Sequence, residues 1–139
     1  MTEPSIIERS VEKAHIWFND MADELGTDDQ REAYRILRAY LHGLRDRLPV
    51  NESAQLAAQL PELIRGIYYE GWSPSSTPVK YRGFADFLDR VADEAVLDGE
   101  TRASYAVSAA AAVLRRHVSA GEIDDVRAIL PEDLRPILG

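Results

Sequence analysis

Slid along itself by 70 positions, this sequence meets its own pattern without a gap. Ala22-Asp23-Glu24 falls on Ala92-Asp93-Glu94, and Asp28, Ala33 and Ala39 fall on Asp98, Ala103 and Ala109. Leu44-Arg45 meets Leu114-Arg115, Glu52 meets Glu122, Leu60-Pro61-Glu62 meets Leu130-Pro131-Glu132, Arg65 meets Arg135 and Ile67 meets Ile137. Apolar exchanges such as Trp17/Phe87, Phe18/Leu88, Met21/Val91 and Leu56/Val126 keep the register. Self-similarity at a fixed period marks a supersecondary unit written in tandem, each copy needing its neighbour to bury an apolar face. The expectation is a single domain over 1–139, with repeat 1 at about 5–72, a linker at 73–78 and repeat 2 at about 79–139.

The periodicity inside each unit is helical. Ile7, Val11, Ala14, Phe18, Met21 and Leu25 recur at spacings of three and four, one apolar stripe of a first helix. Ser5 with Glu8 makes a capping box at its start, and Gly26 suits the residue just past its end. Ala33, Ile36, Leu37, Tyr40, Leu41, Leu44 and Leu48 give a second helix, stopped at Pro49-Val50-Asn51. Asn51 is the expected cap of a short third helix holding Leu56 and Leu60. Pro61 opens a fourth, where its missing N–H costs nothing, with Leu63, Ile64, Ile67 and Tyr68 as its buried face and Gly71 as its end. Trp72 to Pro78 is rich in Pro and Ser and reads as a linker. In the second unit Phe84, Phe87, Leu88, Val91 and Ala95 define the first helix, and Asp98-Gly99 its turn. Ala103, Val107, Ala110 and Leu114 define the second, Ser119 with Glu122 caps a third, and Pro131 to Leu138 is the last. No stretch alternates with period two for long enough to make a strand. The predicted fold class is all-α: a compact orthogonal bundle of about eight helices formed by two tandem four-helix repeats.

The net charge of −8 argues against nucleic acid, because phosphate binding draws on clustered Lys and Arg and the counterions they release. An acidic surface also disfavours anionic membranes, and the longest apolar run, Ala109 to Leu114, is far short of the ~20 residues that span a bilayer. There is no Cys, which excludes disulfides, thiolate nucleophiles and Cys-containing metal sites and suits a reducing compartment. Met1-Thr2-Glu3-Pro4 lacks the basic, apolar opening of a secretory signal. The expected location is cytoplasmic.

The stretch from Leu44 to Trp72, above all Leu60-Pro61-Glu62-Leu63-Ile64-Arg65-Gly66-Ile67-Tyr68-Tyr69-Glu70-Gly71-Trp72, resembles the bacterial family catalogued as domain of unknown function 2267. The resemblance covers almost the whole chain and implies a helical, duplicated fold. It implies no catalytic residues, since that family has no established activity. Some relatives are fused to regulatory nucleotide-sensing modules, so the resemblance points to a regulatory or stress-related setting.

Candidate chemistry is sparse. His15, His42 and His117 show neither the His-x-x-x-His nor the Glu-x-x-His spacing that places two ligands on one helical face, so neither a metal site nor a cofactor is expected. Asp23-Glu24 and Asp93-Glu94 recur near helix ends, where they either converge as a paired-carboxylate site or simply face outward beside the apolar stripe. No nucleophile elbow, Walker loop or dinucleotide-binding Gly motif occurs. Glu62 and Glu132 lie in first helical turns, where the macrodipole favours them, and Arg65 and Arg135 are placed to pair with them or to reach Glu52 and Glu122. These residues, with Arg45 and Arg115, are expected to form structural ion pairs. The run Ala109 to Ala112 allows close helix approach, or leaves room for a ligand. Tyr68, Tyr69 and Trp72, which the second unit lacks, are the candidate contacts for a protein partner, unless Trp72 plugs the seam between the units. The expectation is a non-enzymatic regulatory or protein-interaction domain, the alternative being a small-ligand sensor with an apolar pocket between the repeats. Because the duplication supplies the contacts of a two-fold dimer internally, a monomer is expected, or at most a weak homo-oligomer.

Overall fold

The structure, a computed structural model, describes residues 5–139 and contains helices and no strand among them. Seven α-helices follow one another: α1 (Ile6–Leu25), α2 (Gln30–Arg47), α3 (Val50–Ala58), α4 (Glu62–Tyr69), α5 (Phe84–Ala95), α6 (Gly99–His117) and α7 (Ala120–Ile129). A terminal 3-10 helix, Glu132–Leu138, makes an eighth, and the linker holds a single 3-10 turn at Pro74–Ser76. No helix among the described residues is long and apolar enough to cross a membrane. The reading of Met1 to Pro4 lies outside the described residues.

The boundaries follow local chemistry. Ser5 Oγ accepts from Glu8 N–H at 3.1 Å, Asp29 Oδ1 from Arg31 and Glu32 N–H, and Ser119 Oγ from Glu122 N–H at 3.2 Å. Gly26 ends α1 in the left-handed region, φ +67°. Val96, 70 residues on, ends α5 in the same conformation at φ +58°, so the chain turns there rather than at Asp98-Gly99. Asn51 does not cap α3: the helix already begins at Val50, directly behind Pro49, and Asn51 is an exposed residue in its first turn. The last element is 3-10 because Pro136 has no N–H for an α-helical bond and its ring crowds the preceding turn.

The four long helices close a ring in which α1 packs on α2 and α6, and α5 on α2 and α6. The first helix of each half therefore lies on the second helix of the other, and the halves interleave rather than standing as separate bundles. Every stripe residue of α2 from Ala33 to Leu48 is buried. The seam is filled: the Phe87 ring meets Tyr40 edge-on at 5.9 Å, and Ala110 and Ala111 are fully buried. Cross-half hydrogen bonds tie the corners, with Arg35 Nε donating to the Ala95 carbonyl, and Tyr105 Oη to the carbonyls of Glu24 and Leu25. On α1 the stripe is covered only from Ala14 onward, and Ile7 and Val11 remain exposed. On α4, Ile64 and Tyr68 are buried but Leu63 is exposed.

Candidate functional site

Of the three predicted contact residues, Tyr68 is fully buried, and Tyr69 and Trp72 are half-buried. Burial pushes the Tyr68 phenol above its usual range, and its hydroxyl has no hydrogen-bond partner. Tyr69 stands edge-on to Tyr68, with centroids 5.5 Å apart, and stacks on Trp72 at 5.2 Å. Arg45 fixes the end of this segment from α2, donating to the carbonyls of Tyr68 at 2.9 Å and Glu70 at 2.7 Å. The cluster is therefore a packed corner that leaves part of Tyr69 and Trp72 accessible.

The expected ion pairs are mostly hydrogen bonds to main-chain carbonyls. Arg65 reaches neither Glu62 nor Glu52; it donates to Ala57, Ala58 and Leu60, satisfying carbonyls left open where α3 ends. Arg115 donates to the Leu138 carbonyl as Arg45 does to that of Tyr68. Arg45 does pair with Asp46, at 2.8 Å. Glu62, Glu132 and Arg135 are exposed and make no ion pair among the described residues. Glu52 and Glu122 are a clear correction. Both are buried, and they meet each other and Asp125, with no cation between them. Burial, then Glu52, pushes the Glu122 carboxyl up to about 7.

The acidic pairs near the helix ends do not converge. Glu94 crosses to α2, where it meets Arg38 at 3.1 Å and His42 Nδ1 at 2.8 Å; Glu24 crosses to α6 and Arg116 at 2.7 Å. Asp23 and Asp93 face outward. His42 is buried and donates from Nε2 to the Ile67 carbonyl at 2.7 Å. His117 donates to Asp20 at 2.6 Å and stacks on Trp17 at 4.9 Å, and His15 is exposed.

Stacking of His117 on Trp17 builds one wall of a surface groove of about 500 Å³, which runs between α1 and the α3–α4 corner. Lys13, Ile16 and Trp17 line it from α1, Leu60, Pro61 and Arg65 from the corner. A second recess of about 260 Å³ shares Lys13 and Glu62 and carries the groove on past Ile6 and Arg9. Along α1 the positions 6, 9, 13 and 16 fall on one helical side. Ile6 and Ile16 are 67% and 51% exposed, so this side presents two apolar side chains to solvent with Arg9 and Lys13 between them. Its charged members are Arg9, Lys13 and Arg65 against Glu62, a cationic strip on a protein of net charge −8. Sequence reasoning missed this groove because its walls come from three separate segments. The available signal was Ile6 and Ile16, two β-branched residues off the core stripe.

A family model described as "Uncharacterized conserved protein (DUF2267)" matches residues 14–137. No curated protein matches the chain. The family match begins at Ala14, so Ile6, Arg9 and Lys13 lie ahead of it.

Proposed function

We propose that this chain, which belongs to the DUF2267 family, is a non-enzymatic protein-interaction domain, and that its groove along α1 takes an amphipathic segment bearing acidic residues. The observation that carries this reading is the groove flank where exposed Ile6 and Ile16 alternate with Arg9 and Lys13 and face Arg65. Large β-branched side chains exposed in register along one helix side are a recurrent mark of a docking surface, and a groove beside them fits helix-in-groove recognition. Local positive charge on an acidic protein favours partners that bring acidic residues to it. Tyr69 and Trp72 are the second contact patch to consider, since both keep part of their aromatic surface accessible.

Selection from a displayed library of amphipathic peptides tests the reading. Peptides enriched on the wild-type domain are expected to carry Leu or Ile at helical spacing with Asp or Glu between. They are expected to lose about tenfold or more in affinity on Ile16→Asp and on Lys13→Glu. Enrichment of basic peptides, or binding unmoved by both variants, would overturn it.

A further inference from the structure

Where α3 meets α7, one carboxylate oxygen from each of Glu52, Glu122 and Asp125 lies within 4.8 Å of the others. Glu122 and Asp125 are three residues apart on α7 and share a side of the helix, and Glu52 comes to them from α3 in the other half of the chain. Glu52 and Glu122 are each only 7% exposed, and Glu52 Oε1 and Glu122 Oε2 are buried without a hydrogen-bond partner. A buried carboxylate oxygen with neither donor nor cation is costly.

Three arginines that the sequence offers as ion-pair partners are committed elsewhere. Arg65 of α4 bonds the Ala57, Ala58 and Leu60 carbonyls, Arg115 of α6 the Leu138 carbonyl, and Arg45 of α2 the Tyr68 and Glu70 carbonyls and Asp46. Ser53, beside Glu52 in α3, spends its hydroxyl on the Arg45 carbonyl. The cluster offers oxygen donors, and no ion pair among the described residues reaches it. We infer that Glu52, Glu122 and Asp125 form a binding site for one hard divalent cation, of the Ca²⁺, Mg²⁺ and Mn²⁺ class, bridging α3 to α7.

The spacing is within the reach of Ca²⁺. Two oxygens on one ion stand at most twice the metal–oxygen distance apart, about 4.6–5.2 Å for Ca²⁺. An all-carboxylate donor set favours these ions over the softer metals that seek imidazole or thiolate. Asp125 is exposed, which leaves an entry path and room for water to complete the coordination.

The test uses the full chain stripped with a chelator, then titrated with Ca²⁺, Mg²⁺ or Mn²⁺ near neutral pH by calorimetry and thermal melting. A saturable heat from at least one ion is expected, with Tm raised by about 8 °C at a hundredfold excess over Kd. Both effects should vanish in Glu52→Gln and Glu122→Gln and weaken in Asp125→Asn. The Gln variants keep the side-chain shape and remove like-charge repulsion, so they should fold. Three results would overturn the inference: no response to any of the ions, an equal response in Glu122→Gln, or a Tm that follows pH through neutrality while ignoring every cation. The last would mean that the pair is answered by a shared proton alone.

Discussion

The Phe87 ring of α5 rests on Gly43 of α2 so closely that a methyl group at position 43 would stand 2.8 Å from Phe87 Cε2. Both residues are buried and Tyr40 borders the ring, so it has no room to swing aside. Gly43→Ala should therefore lose about 1–3 kcal/mol by overpacking, despite the better helix propensity of Ala. In a Phe87→Leu background the same change should become neutral or favourable by up to about 1 kcal/mol. A double-mutant cycle in urea measures that change of sign.

Val96 carries the opposite opportunity. Its φ of +58° is a left-handed conformation that β-branched residues resist, and the side chain is 78% exposed, so little packing would be lost. Val96→Gly is expected to stabilise the protein by about 1 kcal/mol, read as a higher denaturation midpoint. Gly26→Val at the matching turn should do the reverse.

Arg45 is buried and bonds two carbonyls at the end of α4 together with Asp46. Arg45→Met would leave those acceptors in the interior, at a cost of about 3 kcal/mol. The loss should appear in equilibrium unfolding, with near-ultraviolet circular dichroism reporting a looser Tyr69–Trp72 stack.

With divalent ions chelated, Glu122 should make stability depend on pH. Its folded value of about 7 stands above its ordinary 4.5, so the folded state holds a proton that the unfolded state has already released across that window. The contribution is complete below about pH 4.5 and is lost as pH rises through 7. Melting temperature in chelator should thus fall across this range, and Glu122→Gln should flatten the slope.

The parts of this fold legible in the sequence are those where burial follows helical spacing. All seven stripe residues of α2 are interior, Ser5 and Ser119 start their helices through their hydroxyls, and Gly26 ends α1 through its lack of a side chain. Periodicity alone does not say whether a stripe is covered. Ile7 and Val11 continue the α1 pattern yet lie in solvent, because the elements packed on α1 reach only its later turns. Asn51 has a side chain suited to capping, but Pro49 starts α3 too early for it. Arg65 has carboxylates within reach along the sequence, but nearer main-chain carbonyls take its protons. The meeting of Glu52 with Glu122 depends on how α3 and α7 approach, which one-dimensional spacing does not encode.

Amide-resonance mapping by NMR tests the central claim, that the flank of α1 is the docking surface. On titration with a selected acidic amphipathic peptide, shifts should concentrate on residues 6–17 and 59–65, with the Trp17 indole following. Shifts centred on Tyr69 and Trp72, with the α1 flank silent, would contradict it.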